Sequence, residues 1–290
     1  MDFSIIIPTR NSGKTLSKTL SSLSSLDYPR NLFEVIIVDF NSSDETLEIA
    51  KRFNVKIIKA RSPGAAAARN AGIKEARGRL ICFTDSDCVI PRDWLSKIYN
   101  KIKDNPEIAG VGGPIKPLGS HNIIQEFAGE NFLEMMAYPP IEIFAESKRF
   151  WCSLITANCC YKKEIISAVG GFDENFFTSG EDIDLCWRIA LSNKVLYDPN
   201  IIVYHIFPDN LKDLFKQYFK YGEGSSKLRK KHFNTGYIDW FIYKLLMKRT
   251  VGLLLPQIST RKKNALGCFQ ILSHIIGKIY GSIKEGVLNV

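Results

Sequence analysis

Leu80-Ile81-Cys82-Phe83-Thr84-Asp85-Ser86-Asp87 runs from unbroken apolar character into two carboxylates one residue apart. A short apolar run of this kind reads as a strand buried on both faces, and its polar end as the point where the chain leaves the sheet. Side chains i and i+2 of an extended segment share a side, so Asp85 and Asp87 can face one hard divalent cation and a diphosphate that shares it. A lone Asp-x-Asp reads first as a solvated turn after a strand, and the rest of the chain has to decide.

Toward the N-terminus, residues 4–8, 34–39 and 55–60 repeat the same β-branched signature as residues 80–84. Helical patterns lie between them. Leu16, Leu20, Leu23 and Leu26 have helical spacing, Ser42 and Glu45 have capping-box spacing, and residues 65–77 form a small-residue helix closed by Gly78. Strands alternating with helices indicate parallel βαβ construction, with a ligand crevice outside the carboxyl ends of the strands. Thr9, Arg10, Asp39, Asp85 and Asp87 all stand at those ends.

Toward the C-terminus the pattern predicts helices over 93–103, 120–137 and 163–169, and a helix after Glu181-Asp182 with Ile183, Trp187 and Leu191 on one face. Strands are expected at 108–112, 151–161 and 201–205. No linker rich in Pro, Ser or Gly divides these elements from the first half. The expected organisation is an α/β catalytic domain over residues 1–207, a mostly parallel Rossmann-like sheet flanked by helices, and a helical basic tail over residues 208–290. In the tail, Tyr221-Gly222-Glu223-Gly224 reads as a hinge, which would let the segment act as a lid.

Charge is unevenly placed. The net charge is +9, yet residues 205–290 hold 15 Lys and Arg against 5 Asp and Glu, so the basic character belongs to the tail. Its basic clusters suit nucleic acid, a diphosphate or an anionic membrane surface. The apolar stretches 237–255 and 265–283 are broken by charges, which fits an interfacial amphipathic helix better than a membrane span, the alternative being that these faces pack on the catalytic domain or on a second subunit. Seven cysteines, odd in number and without C-x-x-C spacing, read as reduced core residues. Only Asp2 and Phe3 separate Met1 from the first strand, so the expectation is a cytoplasmic protein without a targeting segment, peripheral on the cytoplasmic face of the membrane if the tail binds there.

Several chemistries drop out. Asn11-Ser12-Gly13-Lys14-Thr15 imitates the end of a phosphate loop, but that motif needs glycine where this chain has Pro8. No G-x-G-x-x-G follows any strand, which disfavours a dinucleotide enzyme. Gly180-Glu181-Asp182-Ile183-Asp184, at the start of a helix, reads either as helix capping or as the source of a carboxylate base for an attacking hydroxyl. His205, near the end of an apolar strand, can offer an imidazole to a metal, although a histidine in that setting is often structural.

Taken together, Ile6-Ile7-Pro8-Thr9-Arg10-Asn11, Ile37-Val38-Asp39 through Thr46, Ala68-Arg69-Asn70-Ala71-Gly72, Thr84-Asp85-Ser86-Asp87, Gly170-Gly171-Phe172-Asp173 and Gly180-Glu181-Asp182 resemble family 2 glycosyltransferases of the GT-A fold, in order and in spacing, over residues 3–207. The resemblance implies an inverting transfer from a nucleotide-sugar, UDP- or dTDP-linked by preference, to a hydroxyl of a glycan or lipid-linked acceptor, assisted by Mg2+ or Mn2+. It implies that Pro8, Thr9 and Arg10 line the nucleoside pocket, that Asp39 meets the base or ribose, and that Arg69 lies beside the base. Asp85 would meet the ribose or a metal-bound water, and Ser86 belongs with the donor-binding residues. Asp87 would hold the metal with His205, and Asp182 would be the base, supported by Glu181. The segment Thr156-Ala157-Asn158 would face donor and acceptor, with the effect of the following Cys159-Cys160 left open. Nucleic acid is not an expected partner. Two other readings remain at this stage: a haloacid-dehalogenase-like phosphatase with Asp85 as nucleophile, and a non-catalytic sugar-nucleotide-binding scaffold.

Overall fold

The structure is a computed structural model that describes residues 1–149, 153–254 and 257–290. The first half delivers β1 (Phe3–Thr9), α1 (Leu16–Ser24), β2 (Phe33–Asp39), α2 (Thr46–Ala50), β3 (Lys56–Lys59), α3 (Ala65–Glu75) and β4 (Leu80–Phe83). These four strands are parallel and lie side by side as β3-β2-β1-β4. The chain therefore builds outward from β1 in one direction and then returns to its other side. That reversal makes the carboxyl ends of β1 and β4 the switch point of the sheet, the place where open α/β sheets bind ligands.

Next come β5 (Cys88–Val89), α4 (Trp94–Asp104), β6 (Ile108–Gly112), β7 (Ile115–Pro117), α5 (Ile123–Met136), β8 (Ile143–Phe144), β9 (Cys159–Lys162), α6 (Lys163–Ala168), α7 (Glu181–Ala190), β10 (Lys194–Tyr197) and β11 (Val203–His205). Strand β9 runs antiparallel between β4 and β6, and β10 and β8 complete an eight-stranded mixed sheet. Because β9 is antiparallel, its first residue, Cys159, pairs with Phe83, the last of β4. Residues 156–158 are thereby delivered to the same edge as Asp85. A separate three-stranded sheet, β5-β11-β7, stands beyond that edge.

The core follows from composition. Strands β1 and β2 are buried almost throughout, and their continuous apolar runs reflect helices on both faces. Ile6, Ile36, Val38, Phe83, Tyr161 and Leu185 belong to one buried cluster. The small residues of α3 let it sit close on the sheet: a Cβ at Gly72 would stand 2.5 Å from the Ile6 side chain. The described cysteines are free thiols, five of them buried.

The chain divides into two compact units. One comprises Met1–Leu118, Met136–Phe177 and Glu181–Ile206; the other comprises Gly119–Met135, Thr178–Gly180 and Phe207–Val290. The second unit thus combines most of α5 with the segment from Phe207 onward. Its other helices are α8 (Leu211–His232), α9 (Trp240–Gly252) and α10 (Ile258–Glu285). Among the described residues, no helix is long and apolar enough to cross a membrane.

Several expectations are corrected. Residues 221–224 are no hinge: α8 runs through them unbroken, and its glycines admit close neighbours, since a Cβ at Gly222 would lie 2.1 Å from the His274 carbonyl oxygen of α10 and one at Gly224 would lie 2.3 Å from Ser179 Oγ. The strand expected over 151–161 is confined to β9; its start at 151 and 152 lies outside the described residues, and 153–158 are irregular and turn. Ser42 and Glu45 form no capping box. Ser42 instead donates to Asp39, and the first turn of α2 is closed by Asp44, which accepts from the Thr46 amide at 3.1 Å. Strand β11 leaves the main sheet altogether, and the two- to four-residue strands β5, β7, β8 and β10 are additions to the sequence reading.

Candidate active site

At the end of β4, Thr84 is buried and donates to the Ala157 carbonyl at 3.1 Å, tying the acidic turn to the segment before β9. The turn is pinned again at Ser86, whose hydroxyl lies 2.8 Å from that of Ser12 and whose carbonyl accepts from Thr19 Oγ1 at 2.9 Å. Ser86 thus braces the loop with its side chain, while Asp85 and Asp87 extend from a fixed base.

Immediately afterward β5 pairs with β11, setting His205 opposite Cys88, and the Ile206 amide donates to the Asp87 carbonyl at 2.9 Å. This short ladder brings His205 Nε2 to 3.2 Å from Asp87 Oδ1. That oxygen is buried and accepts no hydrogen bond of sound geometry, whereas the Asp87 side chain as a whole is partly open. Desolvation works to lower the His205 pKa, but Asp87 and then Asp85 hold it above its ordinary value. Desolvation likewise works to raise Asp87, and His205 holds it below the usual carboxylate range. The Cys88 thiol belongs to the same cluster, with all three donor atoms within 4.8 Å of one another. A buried, under-satisfied carboxylate oxygen beside an imidazole is a donor set suited to a divalent cation.

Arg69, on α3, is 3% exposed and joins this turn to the second acidic motif. One terminal nitrogen donates to Asp85 Oδ1 at 2.9 Å and the other to Glu181 Oε1 at 2.6 Å. Burial works to lower the guanidinium pKa, and Asp85, Glu181 and Asp182 more than offset it. The Phe172 ring supports the guanidinium at 5.7 Å and meets Phe83 edge-on at 5.2 Å. Asn70 fixes Phe172 by accepting from its amide and donating to its carbonyl, both at 2.9 Å. Gly171 permits that approach: its φ is +73°, and a Cβ there would lie 2.7 Å from Asn70 Oδ1. Arg188 completes the brace through the Val169 and Gly171 carbonyls and Asp184. The Gly170-Gly171-Phe172-Asp173 motif therefore shapes the support for Arg69, and both ends of the Arg69 fork are engaged with carboxylates.

Glu181 and Asp182 open α7. Asp182 Oδ1 accepts from the Ile183 amide at 2.8 Å and Oδ2 from the Thr156 amide at 3.4 Å. Desolvation, with Glu181 adding and Arg69 opposing, pushes the Asp182 carboxyl up to about 7. Desolvation also raises Asp85 above its ordinary value despite Arg69. Beside Asp182, Ala157 is small, and Asn158 is committed to structure, donating to the Pro114 and Ile201 carbonyls and accepting from the Trp94 indole.

Along the same edge of the sheet, Thr9 and Asp39 stand level at the ends of β1 and β2. Asp39 is buried and accepts from the Ser42 amide and hydroxyl and from Thr9 Oγ1. Pro8 is half-buried, and Arg10 is exposed with its guanidinium 5.3 Å from the Phe40 ring centre. Sequence reasoning passed over Cys88 as core, the Arg69 fork and the Thr156 amide. Only Arg69 left a trace, as a charged residue inside an otherwise small-residue helix.

Residues 4–153 match the family described as glycosyl transferase family 2, and residues 80–276 match glycosyl transferase family group 2. A dolichyl N-acetyl-alpha-D-glucosaminyl phosphate 3-beta-D-2,3-diacetamido-2,3-dideoxy-beta-D-glucuronosyltransferase of Methanococcus voltae is 29% identical over 270 residues, covering 87% of this chain and 82% of that one. The poly(ribitol-phosphate) beta-N-acetylglucosaminyltransferase TarS of Staphylococcus aureus is 39% identical over 209 residues, which are 68% of this chain and 35% of TarS. Among solved structures, the mannosyltransferase PcManGT from Pyrobaculum calidifontis, in complex with GDP-Man and Mn2+, superposes with a TM-score of 0.67 at 16% identity, covering 96% of this chain and 87% of that one. The mostly parallel sheet and its antiparallel insertion are thus the GT-A arrangement, and the family match spans the first acidic motif and the strands that carry it. On these grounds the chain belongs to glycosyl transferase family 2 and is a glycosyltransferase.

Proposed function

We propose that the chain moves a sugar from a nucleotide-sugar, UDP- or dTDP-linked by preference, to an acceptor hydroxyl in a single inverting displacement. The observation that carries this reading is the Arg69 fork, which ties Asp85 of the first acidic motif to Glu181, the neighbour of Asp182. Two carboxylate clusters far apart in sequence are thereby held at one edge of the sheet. Asp182 is the general base: it takes the proton of the acceptor hydroxyl as that oxygen bonds to the anomeric carbon and the bond to the nucleoside diphosphate breaks. A carboxyl with a pKa of about 7 retains basicity that an ordinary aspartate lacks. The Thr156 and Ile183 amides hold it in place. Glu181 keeps Arg69 oriented, and Asp85, held by Arg69, faces the ribose or a metal-bound water.

Asp87 and His205 would hold Mg2+ or Mn2+, which when bound stabilises the charge that develops on the departing diphosphate. The imidazole favours Mn2+ over Mg2+, whose preferred ligands are oxygens. Pro8, Thr9, Arg10 and Asp39 are assigned to the nucleoside, and Ser86 braces the loop beneath it. The acceptor is a glycan or a lipid-linked sugar; the dolichyl-linked acceptor in the name of the Methanococcus voltae relative supports the latter. The same reading puts the enzyme in the cytoplasm. A phosphatase using Asp85 as nucleophile is disfavoured by the family match and by the Arg69 fork on that carboxylate.

Incubation with a panel of nucleotide-sugars, Mn2+ and candidate acceptors tests the reading. Release of nucleoside diphosphate with formation of a glycoside of inverted anomeric configuration is expected. Release of inorganic phosphate, or a retained configuration, would overturn it.

A further inference from the structure

The second unit carries helix faces that none of its own helices cover. On α9, Trp240, Phe241, Met247 and Val251 form an outward stripe at helical spacing, and Leu254 follows just beyond. Their exposure is high: 68% for Trp240, 72% for Phe241 and 81% for Leu254. The inner side of the same helix is apolar too, with Ile242, Leu245 and Leu246 half-buried. On α10, Leu272, Ile276, Ile279, Tyr280 and Ile283 make a second outward stripe. A helix apolar on both sides ordinarily sits within a protein or against lipid.

Charge decides what covers these faces. Between Asp239 and Glu285 the sequence holds no Asp or Glu and eight Lys and Arg. The cations turned toward neighbouring helices of the unit are paired: Arg249 with Glu134, Lys263 with Glu126 and Glu130, and Lys278 with Asp239. Lys244 and Lys248 lie on the apolar stripe of α9 itself, exposed, with no ion-pair partner among the described residues. A second copy docked through this face by two-fold symmetry would set those lysines against their own counterparts, with no acid on the face to offset them. An anionic bilayer has the opposite complementarity. Lysine stems lie along the apolar surface while their ammonium groups reach lipid phosphates, and tryptophan favours the headgroup level.

We infer that α9 and α10 form an interfacial anchor that rests on an anionic membrane surface, with Trp240 and Phe241 inserted among headgroups and Lys244 and Lys248 at the phosphates. The inference concerns the second unit alone and requires no turnover, so it stands or falls separately from the proposed reaction.

Flotation of the full chain with phosphatidylcholine vesicles, with and without phosphatidylglycerol, tests it. Binding to the anionic vesicles at low salt is expected, about tenfold or more weaker at high salt or on neutral vesicles. Trp94 and Trp187 are buried, which leaves Trp240 as the exposed indole among the described residues, so binding should shift tryptophan emission to the blue. Trp240→Phe should remove that shift while keeping most of the flotation. Phe241→Glu combined with Leu254→Glu should abolish flotation with the circular dichroism spectrum unchanged, because both side chains face solvent. Absence of flotation at low salt, or equal flotation with neutral vesicles, overturns the inference. So does a dimer that fails to bind vesicles and is dispersed by Phe241→Glu, which would assign the face to a second copy.

Discussion

Asp182 carries the sharpest consequences at the scale of single residues. Its carboxyl, raised to about 7, must be ionised to act as base, so turnover should fall about tenfold per pH unit below neutrality, as a rate profile under saturating donor would show. The same shift has a cost in stability. The folded state keeps a proton that the unfolded chain releases near pH 3.8, so stability declines as pH rises from there to about 7, and the penalty is complete above it. Asp182→Asn should therefore cut turnover by about 100-fold to 10,000-fold while raising Tm at pH 8, a gain that disappears below pH 3.8. Donor affinity should persist in this variant. Asp87→Ala is expected to do the reverse, weakening Mn2+-dependent donor binding in calorimetry. Arg69→Met leaves Asp85 and the buried Glu181 without their shared counter-charge and should cost about 3–5 kcal/mol in urea denaturation.

Among the elements, the readable ones were β1, β2 and β4, apolar almost throughout because both faces are buried, and the helices between them. The missed strands have two to four residues and lack the unbroken apolar run of β4, and β5 and β7 exist only because distant β11 pairs with both. The misread glycines of α8 make the same point. A glycine inside a helical pattern signals either a break or a close neighbour, and only the tertiary neighbours, α10 at Gly222 and Ser179 at Gly224, decide between them. The two cases make opposite predictions for Gly222→Ala. In an exposed helix this change would add about 1 kcal/mol of stability. Here the new Cβ meets the His274 carbonyl oxygen at 2.1 Å, so a loss of about 1–3 kcal/mol is expected, measurable by thermal denaturation. Gly277→Ala, whose Cβ would meet the Phe219 carbonyl oxygen at 2.1 Å, should behave alike.

For the whole molecule, the positions of Asp39, Asp85, Asp87 and Asp182 could be read because each follows a strand or opens a helix, and the carboxyl edge of a parallel sheet gathers such positions. Apart from His205 beside Asp87 and Glu181 beside Asp182, which the family resemblance implies, their partners could not be read. Which residue neutralises which depends on α3 crossing behind the sheet and on β9 running antiparallel, neither of which leaves a local mark. The assembled site should also be visible globally: UDP with Mn2+, at about 100 times its Kd, should raise Tm by roughly 5 °C. UDP or Mn2+ alone should do much less, and a chelator should cancel the gain.

The pairing of β5 with β11 has a further consequence, in time rather than space. During synthesis Asp87 emerges long before His205, and the rung that joins them cannot close until the chain has been made through β11. A polypeptide released early, or one still on the ribosome, carries the acidic turn without its imidazole. A one-residue deletion between β10 and β11 would have the same effect by turning His205 to the opposite face. Synthesis through β11, and β11 in its proper register, are thus preconditions for an assembled Asp87–His205 pair.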